Sequence, residues 1–195
     1  MKHSILLILL WLPMLLSAQY YQPARQFGKG QMDLQAGVGI FPTYLADRPE
    51  TMVPPLQVGL RYMVSPYVSL GAFAGYSLSQ SREKLLRDSI RGRWYNQSYF
   101  LGTELGFHYT KIDNWDIYGG FSLLYQRIQL ETDNADFEKA MLQTGLQLHR
   151  GRATMTAFIG SRFALSARYT VFAEVGYGVS LLKAGLGCQL WGGSK

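Results

Sequence analysis

Charge is scarce in this chain: Asp, Glu, Lys and Arg make up 16% of its 195 residues, against roughly a quarter in soluble domains. That is too little to coat a water-facing surface. Cysteine occurs once, at Cys188, which excludes an internal disulfide and a thiolate metal cluster. No uninterrupted apolar run reaches the ~20 residues of a membrane-spanning helix. A phosphate-cradling glycine loop, zinc-ligand spacing and a nucleophile elbow are also missing, so no cofactor and no metal are expected. The formal charge of +6 is too mild an excess to point to nucleic acid.

Glycine (21) and tyrosine (13) are plentiful, and they sit in runs of strict alternation. The clearest run spans residues 170–191. Val171, Ala173, Val175, Tyr177 and Val179 alternate with Glu174, Gly176 and Gly178, and then Leu182, Ala184, Leu186, Cys188 and Leu190 alternate with Lys183, Gly185, Gly187 and Gln189. Period two marks a strand with two unlike faces. The same pattern predicts strands at 31–41, 56–62, 68–77, 99–109, from Ile117 to about 126, and 154–163. With the terminal pair this makes an eight-stranded antiparallel up-and-down β-barrel.

The connections alternate in length. Residues 42–55 read as a long loop, because proline at 42, 49, 54 and 55 cannot join a ladder. Residues 79–97 form a long polar stretch, and 127–152, with acids Glu131, Asp133, Asp136 and Glu138, read as a third loop, although an alternating piece at 142–148 also fits a strand extension or a small helix. Tight turns are expected at 64–67, 110–116 and 165–168. The connection near 179–181 breaks the alternation by being short.

Three features turn the apolar faces outward, toward lipid. The second face of each strand is mostly glycine, which suits the crowded interior of a narrow barrel and not a wet surface. Long and short connections sort to opposite ends, as in transmembrane barrels. Tyr76, Tyr99 and Tyr125 gather at the long-loop end, and Tyr62, Tyr67, Tyr109 and Trp115 at the short turns, forming two aromatic girdles.

The start of the chain has a cation, Lys2, an apolar run at 5–16 and small residues Ser17 and Ala18. This is the layout of a secretory signal peptide, with cleavage expected after Ala18. No cysteine follows the cut to carry a lipid anchor. Lys2 is the single charged residue among the first eighteen, so its removal takes the formal charge from +6 to +5. The expected organisation is a signal peptide at 1–18, a periplasmic lead at 19–30, a barrel at 31–191 and a tail at 192–195.

From residue 29 to 191 the chain resembles the small outer-membrane β-barrel proteins of the OmpA-like or porin-like superfamily, particularly those of Bacteroidota. The most specific piece is Lys183-Ala-Gly185-Leu-Gly-Cys188-Gln-Leu190, which looks like the family's C-terminal insertion signal, with Cys188 and Leu190 where aromatics are usual. The resemblance implies location in the bacterial outer membrane and insertion by the barrel-assembly machinery. It also implies contact with outer-membrane lipids and lipopolysaccharide, and a monomeric state.

Candidate chemistry lies on the inward face. Asp33, Glu104 and Glu174 stand there against Arg61, Arg162 and Lys183, and an unpaired charge in so narrow a lumen costs several kcal/mol. These six are expected to form a salt-bridge network that plugs the barrel. In the second long connection, Arg82, Arg87, Arg91 and Arg93 fit a solvated polar loop, or else offer bidentate donors to lipopolysaccharide phosphates. Asp88-Ser89-Ile90 also resembles an O-glycosylation signal of exported Bacteroidota proteins.

The function expected is therefore a structural or surface-interaction role without catalysis. One alternative is a narrow transport channel. The other is a lipid A-modifying enzyme with a rim triad from His149, Asp88 and Ser89. His108, near the short-turn end of its strand, reads as a satisfied interior residue.

Overall fold

The computed structural model describes residues 27–41, 50–85, 91–143 and 147–192. The predicted signal peptide, Arg87, Asp88 and Ser89 lie outside them, as does the C-terminal tail beyond Gly192. Eight strands close into an antiparallel barrel: β1 (Met32–Gly39), β2 (Glu50–Ser65), β3 (Val68–Gln80), β6 (Trp94–Tyr109), β7 (Trp115–Thr132), β8 (His149–Ala164), β9 (Tyr169–Gly176) and β10 (Leu182–Trp191). Among the described residues, a small hairpin, β4 (Lys84–Leu85) with β5 (Arg91–Gly92), and one helix, α1 (Ala135–Gln143), stand on the long connections. Every barrel strand pairs with its neighbour in sequence, and β1 pairs with β10 to close the sheet. Closure matters because an open edge leaves backbone N–H and C=O groups that lipid cannot satisfy.

The alternation read from sequence becomes an inside and an outside. On β1, Met32, Leu34 and Val38 are exposed, while Asp33 and Gln35 are buried. On β6 and β7, Leu101, Leu105, Phe107, Ile117, Phe121 and Leu123 are all exposed. Exposed apolar side chains on consecutive strands, all round the ring, require an apolar surrounding, since soluble monomers do not present such a belt. Tyr62, Tyr67, Tyr109 and Trp115 edge the belt at the short turns, and Tyr99 and Tyr125 at the other end, where Tyr76 and Tyr99 rings lie 5.2 Å apart.

Four of the sequence boundaries change. β2 begins at Glu50 and contains Pro54 and Pro55, which the proline rule had assigned to a loop. Its ladder to β3 is irregular between Val53↔Leu78 and Leu56↔Tyr76, so the prolines occupy a bulge where no N–H is needed. The polar stretch 79–97 holds the end of β3, the β4–β5 hairpin and the start of β6. Residues 127–152 are not one loop: β7 continues to Thr132, α1 follows, and β8 begins at His149. The turn 110–116 is shorter than expected, because β7 starts at Trp115 and Asn114 takes a left-handed φ of 61° to make the corner.

The second and third long connections form one cap. Phe137 of α1 is fully buried and stacks on Trp94 at 6.2 Å, and Gly92 lies under its ring where a Cβ would collide. The backbone N–H of Arg93 donates to Asp133 Oδ1 at 3.0 Å, and Asp133 N–H returns a bond to Arg93 C=O at 3.2 Å.

Candidate functional site in the barrel lumen

The lumen is filled in three layers. Nearest the short turns, Arg162 is the centre. It reaches Asp33 Oδ2 from Nη1 at 2.6 Å and Asp116 Oδ2 from Nε at 2.6 Å. Its third nitrogen lies 3.5 Å from Met63 Sδ, and its guanidinium sits 4.2 Å over the ring of Phe27. Phe27 and Gln31, which precede β1, are buried beneath the barrel, and Gln31 Nε2 donates to Asp33 Oδ1 at 2.8 Å. The lead to the first strand thus closes this end over the charges.

The middle layer centres on Glu174. Its Oε1 accepts from Tyr118 O–H at 2.6 Å and from Arg61 Nη2 at 3.1 Å, and Lys183 Nζ meets Oε2 at 2.5 Å. Arg61 also reaches Glu104 Oε2 at 3.2 Å, and Lys183 donates to Gln57 Oε1 at 3.1 Å. Tyr118 joins the two layers, with Arg61 over its ring at 4.5 Å and His108 stacked on it at 5.3 Å. Glycine makes the room: a Cβ at Gly160 would fall 2.6 Å from Glu174 Cγ and 2.9 Å from Tyr118 Cζ.

The third layer is apolar. Phe73, Phe100, Leu124 and Val179 form a buried cluster across the barrel. Sequence alternation had placed Val179 on the lipid face of a strand. Instead β9 ends at Gly176, and the connection to β10 folds inward, putting Val179 at 5% exposure over the lumen. Ser180 Oγ anchors it, 2.7 Å from Phe41 C=O and 2.8 Å from Leu182 C=O. This short connection therefore lies across the mouth of the barrel. Between it and Glu174 lies a cavity of about 30 Å³, room for one or two waters.

All six residues singled out from sequence lie in this interior, and the structure brings them together in two clusters. Two partners were not anticipated as such. Asp116, assigned to a turn, is a fourth interior acid beside Asp33, Glu104 and Glu174, and Gln57 caps Lys183. The signal for Asp116 was present: alternation extended back from Ile117 puts Trp115 outside and Asp116 inside.

His108 is buried, with Nδ1 2.8 Å from Asp116 Oδ2 and Nε2 2.7 Å from Ser69 Oγ. The order Ser–His–Asp matches that of a hydrolytic relay. Ser69, however, is 1% exposed, and its hydroxyl packs where a Cβ on Gly106 would fall. Of the outer arginines, Arg82 and Arg93 are exposed; Arg91 lies on β5. His149 is exposed at the start of β8.

A closed antiparallel sheet that is apolar outside and charge-paired inside is an eight-stranded up-and-down transmembrane β-barrel. A solved structure shares that fold. The outer membrane protein OprG from Pseudomonas aeruginosa superposes with a TM-score of 0.60 at 12% identity, over 85% of this chain and 98% of that one. The N-terminal barrel domain of Pseudomonas aeruginosa OprF matches at 13% identity with a TM-score of 0.46, over 84% and 99% of the two chains. A de novo designed transmembrane β-barrel matches at 19% identity with a TM-score of 0.49, over 83% and 97%. At these identities the likeness is one of fold. No family model and no curated protein matches the chain.

Proposed function

We propose that this chain is a monomeric bacterial outer-membrane barrel with a sealed lumen, whose role is structural or carried by the segments that stand above the membrane. The three-layered filling of the lumen carries this reading, since ions crossing it would have to displace paired charges and then the Val179 cluster. The barrel-assembly machinery inserts it, outer-membrane lipids cover its apolar belt, and lipopolysaccharide phosphates meet the outer arginines, of which Arg82 and Arg93 stand free in solvent. The burial of Ser69 supports a role without catalysis, because a substrate carbonyl has no approach to its hydroxyl.

The test is planar-bilayer conductance of the purified full chain and of Arg162→Ala. The sealed reading expects no steady current from the unmodified protein. Stable channels in that protein overturn it in favour of transport. Current that arises only in Arg162→Ala supports it and shows that the charged layers are part of the seal.

A further inference from the structure

The barrel wall is of unequal height. β2, β6, β7 and β8 have 16, 16, 18 and 16 residues, whereas β9, β10 and β1 have 8, 10 and 8. The last residue pair between β8 and β9 is Phe158↔Gly176, yet β8 continues along β7 as far as Gln129↔His149. Residues 149–156 of β8 therefore form an edge that rises above its shorter neighbour.

The hydrogen-bonding direction along that edge follows from two bonds. Leu130 N–H donates to Leu148 C=O, so even-numbered positions of β8 face β7. Tyr177 N–H donates to Ala157 C=O, so odd-numbered positions face the other way. Backbone groups alternate sides along an antiparallel strand. Gly151, Ala153 and Met155 thus present three N–H groups and three C=O groups to the gap, with no partner among the described residues.

The opposite side of the gap is protected differently. There β2 runs past its last pair with β1, Val38↔Leu56, and this part of its edge carries Pro54 and Pro55, which block pairing. The β8 edge has no proline and no bulge. Its inner-face side chains are Arg150 and Arg152, both exposed and free of ion pairs among the described residues. Gln126, directly opposite Arg152, keeps a buried Nε2 without an acceptor. Donors and positive charge are in surplus there.

We infer that the β8 edge at Gly151, Ala153 and Met155 takes an acidic, extended polypeptide segment as an added strand, with Arg150 and Arg152 pairing its carboxylates. An anionic headgroup would satisfy the N–H groups and leave the carbonyls bare, whereas a strand satisfies both. A second copy of the same edge would set arginine against arginine, so like-charge repulsion selects against self-pairing. The sealed lumen is not needed for this, so failure of either reading leaves the other standing.

Amide exchange of the full chain in detergent micelles, read residue by residue by NMR, tests it. In the protein alone, the amides of Gly151, Ala153 and Met155 should exchange on the order of a hundredfold faster than those of Arg150, Arg152 and Thr154. A six-residue peptide alternating Glu with Thr or Val should slow the first three about tenfold or more. Its affinity should fall about tenfold in R150A/R152A, which loses two charge-assisted pairs. Ala153→Pro, which removes a donor facing the gap and spares the β7 ladder, should weaken binding while the barrel still folds.

Three results overturn the inference. The three amides could already be slow in the protein alone, meaning that the chain covers its own edge. The acidic peptide could leave them fast. A lysine-for-glutamate peptide, or micelles of a phosphate-bearing lipid, could slow them as well as the acidic peptide does.

Discussion

Arg162 and Asp116, 46 residues apart in sequence, meet at 2.6 Å with neither side chain reaching solvent. Each holds more than the other: Arg162 also binds Asp33, and Asp116 also binds His108. Removing one member takes from the survivor one of its two partners in a site without solvent, which costs up to roughly 3–5 kcal/mol. Arg162→Ala and Asp116→Ala should therefore each lower unfolding free energy by up to about that much. Urea titration in detergent or lipid vesicles measures it. A double variant that loses far less than the two single losses added would locate the cost in the unpaired charge.

Gly102 lies where a Cβ would fall 2.5 Å from Cζ of the Phe73 ring. Gly102→Leu should force Phe73 out of the apolar cluster and cost about 1–3 kcal/mol by overpacking. Loss of the heat-modifiable folded band on a gel, or a lowered Tm, reports it. Phe73→Ala in the same chain should restore part of the loss by vacating the space.

Val179 lies over the lumen at the long-connection end, and the charged layers lie below it. Val179→Ala should cost about 1–2 kcal/mol of stability from lost apolar burial. It should leave the bilayer electrically silent, because Glu174, Arg61 and Lys183 remain paired. A current in Val179→Ala alone would shift the proposed seal from the charged layers to the β9–β10 connection.

Phe137 buries its ring between Gly92 and Trp94 and so ties α1 to the β4–β5 hairpin. Phe137→Ala should free the cap while the barrel midpoint stays within experimental scatter. Limited trypsin digestion should then cut at Lys139, which is exposed on the helix, at least several-fold faster than in the parent. Slowed barrel folding would instead mean that the cap supports the wall beneath it.

Ser69, His108 and Asp116 have the connectivity of a hydrolytic relay and are all buried in the barrel interior. A fluorophosphonate probe should leave Ser69 unmodified in the folded barrel, and Ser69→Ala should cost only about 1 kcal/mol, one buried hydrogen bond. Labelling at Ser69 would require a path to it that opens in solution.

Much of this architecture is already written in the chain. Period-two alternation sets which side chains face lipid, because a strand offers only two faces and a one-residue slip would drive every charge into the membrane. It therefore determined the eight barrel strands, the two aromatic girdles and the inward placement of Asp33, Arg61, Glu104, Arg162, Glu174 and Lys183. Where alternation fades, above the membrane, both faces meet water and the pattern loses its cause. That is why α1, the β4–β5 hairpin and the upper parts of β7 and β8 were not legible.

Only the tertiary structure decided who pairs with whom. Register across eight strands sets Arg162 between Asp33 and Asp116, and Glu174 among Tyr118, Arg61 and Lys183, contacts that span up to 129 residues. Closure also turned Val179 inward. With β9 ending at Gly176, the short connection can reach β10 only over the mouth of the barrel, and an apolar side chain there is buried by filling it. Strand length, set by where each ladder ends, left β8 standing above β9, paired to β7 on one side and without a backbone partner among the described residues on the other.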